Sequence, residues 1–80
     1  MRQMQIDQID QIEVLLHFNL DTTLQGLKIH HDARPGLISA AKQLHQLGLI
    51  TAEDGGYLTD LGHEAAEHLQ LALQIMKPIR

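Results

Sequence analysis

Gly48-Leu49-Ile50-Thr51-Ala52-Glu53-Asp54-Gly55-Gly56-Tyr57-Leu58-Thr59-Asp60-Leu61-Gly62 decides how this chain folds. Gly48 reads as a helix stop, because glycine takes the left-handed conformation that closes a helix C-terminus. Two short β-favouring pieces follow, and Gly55-Gly56 between them has the composition of a hairpin turn. Thr59 or Asp60 then opens another helix as a capping side chain. Helix, hairpin near 49–58 and helix in succession predict an α+β chain that is mostly helical.

Composition closes off several classes. The 80 residues make one domain, whose small core leaves little stability to spare. With no cysteine, neither a disulfide framework nor a thiolate metal site can compensate. Self-association is the remaining common device, and a homodimer is expected. The N-terminus lacks the basic flank and apolar run of a secretory leader. No apolar segment approaches the roughly 18 residues that cross a bilayer. A soluble cytoplasmic protein with no membrane partner is the expectation.

Six Lys and Arg face ten Asp and Glu, a formal charge of −4. A nucleic-acid binder usually carries a basic footprint, so local distribution matters. Asp21 to Ile50 holds three cations (Lys28, Arg34, Lys42) against two acids (Asp21, Asp32), with His30, His31 and His45. Thr51 to Glu64 holds four acids and no Lys or Arg. Any duplex contact would come from the middle of the chain, not from the hairpin. The six histidines lift the charge in mildly acid solution.

From about Met4 to Phe18, Ile6, Ile9, Ile12, Leu16 and Leu20 recur at helical spacing. Val14, Leu15 and Phe18 make a second apolar flank, and Asp10, Glu13 and His17 fill a narrow sector between the two. Such a helix buries more than one side, which suits a core plus a subunit contact. Ile9 and Ile12 belong to the core or, with Leu16, to a dimer seam.

Asp21-Thr22-Thr23 offers capping groups for a short helix through Leu24 and Leu27. Gly26 and β-branched Ile29 equally allow a strand through Leu27-Lys28-Ile29. Asp32 ahead of Ala33-Arg34-Pro35 resembles a helix start, with an Asp cap and Pro in the first turn. Over 34–47, Leu37, Ala40, Ala41, Leu44 and Leu47 form the inward stripe. Ser39, Lys42, Gln43 and Gln46 lie opposite, with Arg34 at the margin. Lys42 can reach a phosphate or guanine, Gln43 and Gln46 can pair with adenine, and Ser39 can donate to a phosphate. Ile38 beside Lys42 is an awkward residue for open water, suited to a thymine methyl or a protein partner.

Catalysis and metal binding find little support. Adjacent histidines, as in His30-His31-Asp32, rarely converge on one ion. His63 with Glu67 and Glu64 with His68, each four residues apart, read as charge pairing on a solvent face. No Ser sits in a glycine-flanked elbow, and Gly55-Gly56 lacks the Lys-Ser/Thr of a phosphate loop. Neither enzyme chemistry, a metal nor a cofactor is expected.

The last helix, 59–76, carries Leu61, Ala65, Ala66, Leu69, Ala72, Leu73, Ile75 and Met76 over about half its circumference. Its first part can cover the core. Leu69, Leu73 and Met76 project past it, and their expected cover is the first or last helix of a second copy.

Two resemblances follow from these residues. Leu44, Leu47, Gly48, Leu49 and Ile50, then Tyr57-Leu58-Thr59-Asp60-Leu61-Gly62, resemble the helix, wing and helix start of winged-helix domains. The resemblance implies three or four helices plus a hairpin wing, with helix 34–47 as recognition helix. Phe18 to Thr23, Gly26 to Ala33, Gly48 to Ile50 and Asp54 to Gly62 are similar to a small bacterial family of about this length. Its members are labelled DNA-binding proteins or transcriptional regulators, some as relatives of a DNA-binding inhibitor. On the helix chemistry above, the leading reading is a transcriptional-regulator-type protein contacting double-stranded DNA through Arg34, Ser39, Lys42, Gln43 and Gln46, with Lys28 on a flanking phosphate. The alternative is an adaptor or anti-regulator that binds a protein, which suits the acidic wing and Ile38 better.

Overall fold

The computed structural model describes residues 5–21 and 25–78, so the expected helix start at Met4 and caps at Thr22-Thr23 and Leu24 fall outside the described residues. Within them the order is α1 (Ile6–Leu16), β1 (Leu27–Lys28), α2 (Pro35–Gln46), β2 (Ile50–Ala52), β3 (Gly55–Leu58) and α3 (Asp60–Ile75). The strands form one antiparallel sheet in the order β1-β3-β2. The segment left open between helix and strand is a strand.

In α1 the core-facing residues are Val14, Leu15 and Phe18, all buried. Ile9 is 52% exposed and Ile12 and Leu16 are half-buried, so the core reading of Ile9 fails. The reason lies in the polar sector. Asp10, one and two turns before Val14 and Phe18, is buried against Arg34. A carboxylate can enter the interior when a guanidinium neutralises it, and the helix turns that face inward.

α2 starts at Pro35, whose missing N–H has no partner to lose in a first turn. The capping position is Arg34, not Asp32, which lies exposed in the turn at 31–33. Ala40, Ala41 and Leu44 are buried and Leu37 packs against them, but Leu47 is 59% exposed because the helix has already ended. Gly48 (φ +80°) donates to the carbonyl of His45, and Leu49 donates to that of Leu44, both at 3.0 Å. These two bonds satisfy the last carbonyls and turn the chain into β2.

The hairpin departs from expectation at its tip. Glu53-Asp54 make the turn, while Gly55 and Gly56 lie inside β3. Gly55 stands opposite Lys28, and a Cβ there would overlap the carbonyl of Leu27. Both glycines have positive φ, and the β2–β3 register slips between Ile50 and Ala52. The glycines serve the approach of β1 and the bulge rather than the reversal.

Thr59 caps α3. Its Oγ1 accepts from the Gly62 N–H (3.0 Å) and donates to the Gly48 carbonyl (2.6 Å), and its N–H donates to the Leu49 carbonyl (3.0 Å). Gly62 lies directly over Leu49, where a side chain would overlap the Leu49 carbonyl. Ala66 is buried, and Ala65 and Leu69 pack on the core. From Leu71 to Pro78 every residue is exposed, including Leu73 (45%) and Met76 (73%). No helix among the described residues is long and apolar enough to cross a membrane.

Gly62→Ala tests the α3 junction by the sign of its effect. Within a helix this change ordinarily stabilises by about 1 kcal/mol. Overlap with backbone at Leu49 should instead destabilise by about 3 kcal/mol in urea unfolding. Gly48→Ala, which meets no neighbour but keeps a left-handed φ, should lose about 1 kcal/mol.

Candidate functional site

A cleft of about 530 Å³ opens between α2, the end of β1 and the β2–β3 turn. Ile29, Ile38 and Ala41 form its apolar floor, Ala41 fully buried and the two isoleucines half-buried. Lys42 stands on the α2 rim. Lys28, His30 and His31 stand on the β1 side, and Glu53 and Asp54 on the turn. Volume and apolar lining fall in the range of ligand and side-chain pockets.

The turn is braced onto β1 twice. The Ile29 N–H donates to the Asp54 carbonyl (2.7 Å), and the Lys28 ammonium pairs with the Asp54 carboxylate. That ammonium, by hydrogen bond and then by charge, holds the Asp54 carboxyl below its ordinary range. Across α2, Arg34 donates to Asp10 Oδ1 (3.0 Å) and Glu13 Oε1 (3.3 Å). The Asp10 bond, then its charge, raises the guanidinium above its already high value. Gln43 accepts from Gln11 Nε2 (2.8 Å) and donates to Asp7 Oδ2 (3.4 Å).

The six residues read as a duplex surface therefore divide. Arg34 and Gln43 face α1, and Lys28 is tied to Asp54. Ser39, Lys42 and Gln46 are exposed on the outer side of α2, and Lys42 has no ion-pair partner among the described residues. Of the residues read as a dimer seam, Ile9, Leu73 and Met76 are exposed, Ile12 and Leu16 half-buried, and Leu69 packs on the core. The sequence gives no sign that Asp54 closes one wall of the cleft; Ile38, out of place on a polar face, is its one local signal.

Among the described residues no three His, Asp or Glu side chains are grouped to hold a metal ion. His63 Nδ1 lies 2.8 Å from Glu67 Oε1, one turn apart on α3.

The chain belongs to a family of unknown function, DUF5669, which it matches over residues 2–77. No curated protein and no solved structure matches it.

The Lys28–Asp54 brace predicts a pH response with a definite sign. A carboxyl held low in the fold stabilises it above the ordinary carboxylate range, and the contribution is lost as pH falls through the lowered value. The Asp54 side-chain carbon signal should titrate below about 3.9, the free aspartate value. Lys28→Gln should move the midpoint up towards it and speed exchange of the Ile29 amide. An Asp54 midpoint indifferent to Lys28→Gln would refute the brace.

Proposed function

We propose that this chain is a non-enzymatic, cytoplasmic, winged-helix-like adaptor or anti-regulator that docks a protein partner at the α2–β1–turn cleft. The element order α1-β1-α2-β2-β3-α3 and the sheet order β1-β3-β2 support the winged-helix likeness. One observation carries the choice of partner. Lys28 and Arg34 are paired with the protein's own carboxylates, while beside Lys42 an apolar floor faces solvent. Phosphate binding draws its strength from free cations that displace condensed counterions, and a chain of charge −4 with those two cations engaged offers few. The helix-turn-helix readout also uses a helix ahead of the recognition helix. Between β1 and α2 the structure has only the turn at 31–33.

A DNA-binding regulator is the second reading, favoured by Ser39, Lys42 and Gln46 exposed together on α2. Sheared genomic DNA titrated at about 50 mM salt separates the two. The adaptor reading expects no binding at tens of micromolar protein, and capture of one defined protein that Ile38→Asp abolishes. The DNA reading expects binding that falls steeply with salt, with a slope reduced by about one in Lys42→Ala.

Self-association is part of the proposal. Leu71, Leu73, Ile75 and Met76 are all 45% exposed or more on the last turns of α3, and Ile9 is open on α1. Exposed apolar area of this kind in a small domain favours a second copy as cover. Sedimentation equilibrium at micromolar concentration should give twice the 9.0 kDa chain mass, and Leu73→Glu with Met76→Glu should return the monomer. A concentration-independent monomer of unaltered chain would remove the dimer.

A further inference from the structure

We infer that the occupant of the cleft is an extended peptide bearing an apolar side chain and a single carboxylate two residues apart; this rests on the docking reading above. Three observations carry it.

Charge comes first. Four ionised side chains surround the cleft, and Lys28 and Asp54 neutralise each other. Lys42 on α2 and Glu53 on the turn remain, with His30 and His31 on the β1 side. One free ammonium suits one carboxylate. The unpaired Glu53 on the turn opposes the second negative charge of a phosphate, whose charge is near −2.

Spacing comes second. Ile38 and Lys42 are one turn apart on α2, so their Cβ atoms lie about 5–6 Å apart on one face. In an extended peptide, same-face side chains recur at i and i+2, about 6.6 Å apart. An apolar residue seated on Ile38 therefore brings the acid two positions on to Lys42.

The third is the backbone. β1 is an edge strand, with no strand on its outer side among the described residues. The Ile29 N–H is turned in to Asp54, so by strand alternation the N–H and carbonyl of Lys28 are turned outward. They offer main-chain partners to an extended segment. Apart from half-buried Asp54 the cleft rim is exposed, which suits a peptide laid across it better than a small molecule needing near-complete enclosure.

The test is an amide-resolved NMR titration of the full chain with acetyl-Leu-Ser-Glu-Ser-amide, its Gln counterpart and its phosphoserine counterpart in place of Glu. The Glu peptide should shift Lys28, Ile38 and Lys42 amides with a Kd in the millimolar range, about −4 kcal/mol. The Gln peptide should bind about two- to fivefold more weakly, the worth of an exposed charge pair. Lys42→Gln should erase that preference and leave Gln-peptide affinity intact, and Ile38→Ala should weaken both. Equal affinity for Glu and Gln peptides, or tighter binding of the phosphopeptide, overturns the carboxylate assignment while leaving docking in place. If no peptide shifts the cleft amides, the docking reading itself falls.

Discussion

Thr59 ties together three parts of the chain: the end of α2, the start of β2 and the first turn of α3. One hydroxyl accepts from the first turn of α3 and donates to the carbonyl just beyond α2, while the amide of the same residue bonds Leu49. Gly62 completes the junction by bringing α3 down onto the Leu49 backbone. The open end of the hairpin is closed there, so β2 and β3 leave and return at a fixed place. The hairpin that carries the turn walling the cleft is anchored at its open end by this closure. Backbone groups at both helix ends are satisfied by the same contact, which is why so short a connection is affordable in a domain with eight buried apolar residues among those described.

Charge does a second kind of structural work. Arg34 lets Asp10 enter the interior of the α1–α2 contact, and Lys28 holds the turn against β1. Each pairing joins segments more than twenty residues apart in sequence. Side chains that a linear reading assigns to an external partner are thereby enlisted in the fold. On the outer face of α2, Lys42 stands beside Ile38 with no ion-pair partner among the described residues.

What could be read from the chain was what depends on neighbours in sequence. Gly48 marked the end of α2, Pro35 its beginning, and Thr59 the start of α3, because caps and breakers act within a turn or two. The hairpin was placed, yet its reversal was not. Gly55 looks like a turn residue, and only the carbonyl of Leu27 across the sheet explains why it sits in a strand instead. In α1 two apolar flanks of similar size left the inward face undecided, and the arbiter, Asp10 with Arg34, is a distant contact. For the site, Ile38 and Lys42 were visible as an odd pair on a polar helix. The opposite wall, from Asp54 to His31, exists only once β1 pairs with β3.

The sheet has two short borders, β1 and β2, on either side of β3. An unguarded strand border is a template on which further chains can stack, and a bulge spoils the regular ladder that stacking needs. The slip lies in the β2–β3 pairing with its extra residue on β3, three steps from Gly55 to Leu58 against two from Ile50 to Ala52, and β2 itself is three residues long. β1, on the far side, is regular but two residues long. Borders of two and three residues offer little ladder to a further chain, and short edge strands are one of the devices by which sheets resist stacking.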